Sequence, residues 1–172
     1  MAFLLGEALM EALAPARYAP PAQPSQRPAA TTGERIEKAV ELLEAARQQS
    51  EEGHFDKALF SYEELLRRFS DFAFTEFARI ERALVLYQLG RVSEALLQLE
   101  DVEVALRGNS GVHAALAAVL YTERPAQRLL AEQQWEIAME FDRRYADVGW
   151  VKAQKHWPPR ALEALQRFVK LA

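Results

Sequence analysis

Apolar side chains recur every three or four positions through most of the chain after residue 31, with polar residues between them. This spacing is typical of amphipathic helices, and no segment shows the convincing alternation of a strand. The fold class predicted is therefore all-α. The pattern predicts helices over about 34–46, 58–69, 77–87, 95–106, 113–121, 125–145 and 159–171.

Local signals mark several of the helix ends. Thr31 and Glu34 have the spacing of a capping box, which predicts the start of the first helix. Ser93 is the predicted cap of the fourth helix, and Pro125 suits the first turn of the sixth. The stretch "ADVGWVKAQKHW" is read as a connection, after which Pro158 and Pro159 open the last helix.

Two glycines and two alanines recur at one fixed distance. Gly53 and Gly90 lie 90 − 53 = 37 positions apart, and so do Ala58 and Ala95 (95 − 58 = 37). A glycine ends a helix at low cost in the left-handed conformation, and an alanine lets two crossing helices approach closely. The recurrence predicts antiparallel helical hairpins that stack on one another.

This pattern resembles the tetratricopeptide repeat (TPR), a family of stacked helical hairpins. The matching residues are Ala46, Gly53, Phe55, Ala58, Tyr62 and Leu65 in one unit, and Ala83, Gly90, Val92, Ala95, Leu99 and Val102 in the next. The resemblance covers about residues 34–107 well and 110–145 only as a hairpin of suitable shape. The chain departs from the family in its period of 37, against about 34, in its missing tryptophan and closing proline, and at Arg79 and Arg82.

The ends of the chain differ from the repeats. Residues 3–13 predict a short amphipathic helix with Phe3, Leu5, Leu9 and Leu13 among its apolar positions, and a proline- and alanine-rich linker follows. The predicted organisation is an N-terminal arm over 1–30 and a TPR-like helical domain over 31–172. At the other end, Trp157 is expected to pack on the preceding hairpin. The last helix should cap the stack with a buried stripe of Leu162, Leu165 and Phe168.

Composition removes several function classes. The formal net charge of −4 gives no basic surface for nucleic acid, and no apolar run is long enough to span a bilayer. The chain has no cysteine, which fits a soluble protein of a reducing compartment, and we expect a cytoplasmic location. The three histidines lie in separate segments and are interpreted as surface or helix-end residues. No catalytic, metal-binding or cofactor-binding residue is predicted, so an enzyme of unknown type is only a remote alternative.

Two features point to partner binding. The TPR resemblance places Phe77, Ile80, Leu84 and Tyr87 on the inner face of the array, where such proteins bind peptides; the alternative is that these residues are core. The apolar helix of the N-terminal arm is expected to dock into a groove, either on the rest of this chain or on a partner protein. The alternative is that the arm is a frayed terminus without a binding role.

The C-terminal run with Trp157, Pro158 and Pro159 is also similar to small TPR-like proteins of cyanobacteria and chloroplasts, a family linked to photosynthetic complexes and their assembly. The expected function is a non-enzymatic protein–protein interaction module that acts as a scaffold or assembly factor for a larger complex. The alternative is a stoichiometric linker or structural subunit, such as one in a light-harvesting assembly. Its partners are expected to be proteins, and no cofactor is implied.

Overall fold

A computed structural model describes residues 30–171, and within them all regular secondary structure is helical. The predicted arm helix and linker, including Phe3, Leu5, Leu9 and Leu13, lie outside the described residues. Two 3₁₀ turns lie at Pro125–Gln127 and Arg143–Ala146. The eight α-helices of this part of the chain are α1 Thr32–Glu51, α2 Phe55–Arg68, α3 Thr75–Gln88, α4 Val92–Ala105, α5 Ser110–Glu123, α6 Arg128–Phe141, α7 Val148–Gln154 and α8 Pro159–Val169.

The local signals at the first helix and at the two glycines are confirmed. The backbone N–H of Thr31 donates to Glu34 Oε2 at 2.7 Å, and the N–H of Glu34 donates to Thr31 Oγ1 at 3.3 Å. This reciprocal pair is the predicted capping box. Gly53 and Gly90 have φ of +80° and +82°, so each ends a helix in the left-handed conformation that favours glycine.

Consecutive helices pack as neighbours along the chain. The most extensive pairings join α1 with α2, α3 with α4, and α5 with α6, and further contacts join α2 with α3 and α4 with α5. Ala58 and Ala95 are completely buried, as close helix crossings require. Tyr62 and Leu99, four positions after these alanines, are buried core residues as well.

Several predicted boundaries are wrong. Helix α4 begins at Val92, and Ser93 does not cap it. The predicted helix from Pro125 to Tyr145 ends at Phe141, because Asp142 is extended and its side chain accepts from the N–H of Arg144, which starts a separate 3₁₀ turn. Asp147 likewise accepts from the N–H of Trp150 and caps α7, which lies inside the stretch predicted to be a connection.

The last helix packs on helices that precede it in the chain, and its predicted role as the cap of a repeat stack stays a prediction. Helix α8 packs mainly on α5, and also on α3 and α7. The predicted stripe is correct, since Leu165 and Phe168 are buried and Leu162 is half-buried, and Trp157 is 6% exposed. Helix α5 is buried from Gly111 to Leu120, because α4, α6 and α8 all pack around it. The apolar surface of α5 therefore determines the position of α8.

Candidate partner-binding site

The four aromatic and aliphatic residues predicted on α3 differ in exposure. Ile80, Leu84 and Tyr87 are 7%, 1% and 1% exposed, whereas Phe77 is 48% exposed. The structure thus brings all four together on one helix but leaves only Phe77 with substantial free surface. The partner-binding role of these residues stays a prediction.

The C-terminal half of this face is covered by α8 through Arg160. The guanidinium carbon lies 4.4 Å from the centre of the Tyr87 ring, and Nη2 donates to Glu123 Oε1 at 2.9 Å. The Tyr87 hydroxyl donates to the same Glu123 oxygen at 2.8 Å. Burial, followed by the hydrogen bond to Glu123, raises the pKa of Tyr87 to about 12. This end of the face is occupied by the chain itself.

The N-terminal half of the face remains open as a cleft of about 320 Å³, which we call the Phe77 cleft. Helices α1 and α3, the start of α5 and the segment 145–157 form its walls. The residues that line it are Arg47, Phe77, Ile80, Glu81, Asn109, Gly111, Tyr145, Gln154, Lys155, His156 and Trp157.

A hydrogen-bonded ion pair in the lining of the cleft joins α1 to α3. Arg47 donates to both carboxylate oxygens of Glu81, and the Tyr62 hydroxyl donates to Glu81 Oε2 at 2.9 Å. Burial is the main cause that raises the pKa of Tyr62 far above its ordinary value, with the Glu81 charge adding to it. Tyr62 therefore stays protonated and holds Glu81 in place at neutral pH.

Apolar residues precede Arg47 on α1. Leu43 lies one turn before Arg47 on the same face of α1, and it is half-buried. Val40, one turn further from Arg47 on α1, is 37% exposed. An apolar strip thus continues from the cleft along α1.

The wall opposite α1 and α3 is formed by the chain between α7 and α8. His156 has φ of +54° and turns the backbone, and its Nδ1 lies 2.7 Å from Glu51 Oε1. Tyr145 is 5% exposed, and its ring centre lies 5.5 Å from that of Trp150 and 6.1 Å from that of Trp157. This packing holds the Tyr145 side chain in a defined orientation at the cleft.

The predicted inner-face residues include only two members of the cleft lining, Phe77 and Ile80. Arg47, on α1, and Tyr145 and Lys155, in the segment 145–157, were missed because both segments are distant from α3 in the sequence. The interleaved aromatic and basic residues of "RRYADVGWVKAQKHW" are the one sequence signal that marks part of this wall.

The histidines do not assemble into a site. His113 lies in the first turn of α5, at a helix end as predicted, but it is 2% exposed and is therefore not a surface residue; its Nδ1 lies 2.6 Å from Gln134 Oε1, which gives the buried ring a hydrogen-bond partner. Residues 30–171 contain no group of three or more His, Asp or Glu side chains arranged to hold a metal ion. None of the helices described there has the length and apolar character to cross a membrane.

Comparisons with protein-family models, with curated proteins and with solved structures found no match to this chain. The TPR resemblance therefore rests on the residues that carry it.

Proposed function

We propose that this chain is a non-enzymatic protein–protein interaction module with a TPR-like arrangement of hairpins. The observation that carries the proposal is the exposed Phe77 ring at the mouth of a cleft between α1, α3 and the segment 145–157. A half-exposed phenylalanine beside a concave surface is the type of aromatic anchor on which protein interfaces depend.

The surface around Phe77 suits a peptide better than a small molecule. The cleft is at the small end of the range for ligand pockets, about 300–1,000 Å³, and the apolar strip of Leu43 and Val40 extends beyond it. A peptide segment that places one side chain in the cleft and others along α1 would use both surfaces. Scaffolding or assembly of a larger complex is the role that we infer from such a surface.

The link to photosynthetic complexes, either as an assembly factor or as a stoichiometric linker, follows only from the C-terminal resemblance and stays a prediction. The same holds for the N-terminal arm as a second contact. Both are addressed by one purification experiment from the native cells.

The experiment compares affinity captures by the full chain, by Phe77→Ala and by Phe60→Ala, followed by mass spectrometry. Phe60 lies on α2 and is 65% exposed, so it is a matched control away from the cleft. We expect Phe77→Ala to lose partners that Phe60→Ala retains, because truncation of an interface anchor costs about 2 kcal/mol or more. Equal capture by the two variants would contradict the proposal. A variant that lacks residues 1–30 tests the arm in the same assay, and unchanged capture would exclude it.

A further inference from the structure

The hydroxyl group of Tyr145 is a polar group without a partner at the cleft. The residue is only 5% exposed, and its Oη is not fully buried but opens to the cleft, where no group among residues 30–171 forms a hydrogen bond with it. The backbone of Gly111 approaches it so closely that a Cβ there would lie 2.7 Å from Oη. Burial raises the pKa of Tyr145 to about 12, so the hydroxyl is protonated at neutral pH and is available as a donor.

Several hydrogen-bonding groups of the cleft that have no partner among the described residues are donors, beside Gln154, whose amide can both donate and accept. Glu81, the carboxylate that lines the cleft, already accepts three hydrogen bonds, from Arg47 and Tyr62. Asn109 Oδ1 accepts from the backbone N–H groups of Gly111 and Val112 at 2.9 and 3.2 Å, which leaves its amide nitrogen as the free group. Arg47 Nη1 makes no hydrogen bond to the described residues. A ligand that satisfies these groups must present acceptors.

The ammonium group of Lys155 is the one cationic group of the cleft lining that forms no salt bridge with the described residues. Arg47 is paired with Glu81, and His156 faces Glu51. Lys155 forms no salt bridge in this part of the chain, and its Nζ lies 4.9 and 5.6 Å from the centres of the Trp150 and Tyr145 rings. The positive end of the α5 dipole, at Asn109 and Gly111, adds to the same potential. A single ammonium group matches a monoanion.

We propose that the Phe77 cleft binds a carboxylate group of an acidic peptide segment. The Tyr145 hydroxyl donates to the carboxylate, Lys155 neutralises it, and the exposed ring of Phe77 contacts an apolar side chain of the same segment. This inference rests on the proposed interaction function and names the chemistry of the partner.

The first test uses acetate as the probe and the full ¹⁵N-labelled chain in NMR titrations, with chloride as the reference at equal ionic strength. We expect saturable shifts at the Gly111 amide and the Trp157 indole. Tyr145→Phe removes a hydroxyl without a partner among the described residues, and Lys155→Gln removes the charge together with its contacts to the Trp150 and Tyr145 rings. Each should weaken binding about tenfold, since a hydrogen bond to a charged group is lost. Tyr121→Phe is the matched control, because the Tyr121 hydroxyl accepts from Arg128 at the far end of α5. Shifts that do not saturate, or equal affinities for all variants, would overturn the proposal.

The second test identifies the source of the carboxylate. Twelve-residue peptides are selected by display on the full chain, and the best binders are remade with each Asp or Glu replaced by Asn or Gln. We expect one such replacement to weaken the binding of the peptide to the unaltered chain about tenfold. The same replacement should have little effect on the binding of the peptide to the Tyr145→Phe variant. Binders at Phe77 that need no acidic residue would refute the carboxylate proposal and leave the interaction function standing. Saturable acetate binding with no selectable peptide would refute the peptide source and count against the interaction function itself.

Discussion

Substitution of Phe168 by alanine tests the docking of α8 directly. The side chain is 1% exposed and packs edge-to-face against two rings, with centre distances of 5.1 Å to Tyr121 and 5.2 Å to Trp135. These rings belong to α5 and α6, so Phe168 joins the last helix to both members of the last hairpin.

Phe168→Ala should lower the free energy of unfolding by about 3–5 kcal/mol. Removal of a buried phenylalanine side chain loses the free energy of its transfer from water and also leaves a cavity. A domain of this size has a stability of roughly 5–15 kcal/mol, so the variant should still fold but unfold at a much lower urea concentration. Equilibrium urea titrations followed by circular dichroism at 222 nm measure this change.

Phe60→Ala is the matched control, because Phe60 is 65% exposed on α2 and its truncation should change stability by no more than about 0.5 kcal/mol. Equal midpoints for Phe168→Ala and Phe60→Ala would refute the docking of α8 on α5 and α6. A large loss in both variants would instead show that Phe60 is covered in solution.

Three further perturbations test other parts of the fold. Ala95→Leu, at a fully buried helix crossing, should lower the free energy of unfolding by about 1–3 kcal/mol in urea titrations, and an unchanged midpoint would disprove close packing of α4 there. Deletion of residues 158–172 should uncover α3 and α5 and produce self-association in light scattering; a monomeric truncated chain would contradict that role for α8. Tyr87 and Tyr145 have pKa values raised from 10.0 to about 12, so the folded state retains protons that the unfolded chain loses. The stabilisation that they provide is complete below pH 10 and is lost as the pH rises towards 12. Tyr145→Phe should therefore lose less stability than the unaltered chain between pH 10 and pH 12 in thermal melts. The same dependence of melting temperature on pH in both proteins would refute the raised pKa of Tyr145.

The parts of the fold that were predicted correctly depend on contacts between near neighbours in sequence. The capping box joins Thr31 to Glu34, and Gly53 and Gly90 act through their own backbone conformation. Helical periodicity also identified the buried stripe of α8, because a stripe belongs to one helix. Asp142 is an exception, because its contact with Arg144 is local and yet the end of the helix there was not predicted. An aspartate within a helical pattern can either lie on the solvent-exposed face of a continuing helix or end the helix.

The candidate site was largely beyond sequence reasoning because distant segments build it. Which of Tyr87 and Phe77 is exposed to solvent on α3 depends on where α8 packs. The position of α8 depends in turn on the apolar surface of α5 that the other helices leave uncovered. Tyr145 resembles any tyrosine at the end of a helix until Gly111 and Lys155 are placed beside it.

The position of α8 has a consequence for how the protein unfolds. Arrays of stacked hairpins have mainly local contacts, and they open repeat by repeat from their ends. Here Arg160 bonds to Gln88, 72 positions away, and His156 contacts Glu51, 105 positions away, so the last segment is tied to the middle and to the first helix. Unfolding of α1 or of the segment that leads into α8 therefore breaks contacts in the other. Hydrogen exchange of backbone amides in α1, α3 and α5 should then give one common free energy of opening. On the ribosome, the surface of α3 and α5 that α8 covers stays exposed until α8 has emerged, so this part of the fold forms only after α8 has been synthesised.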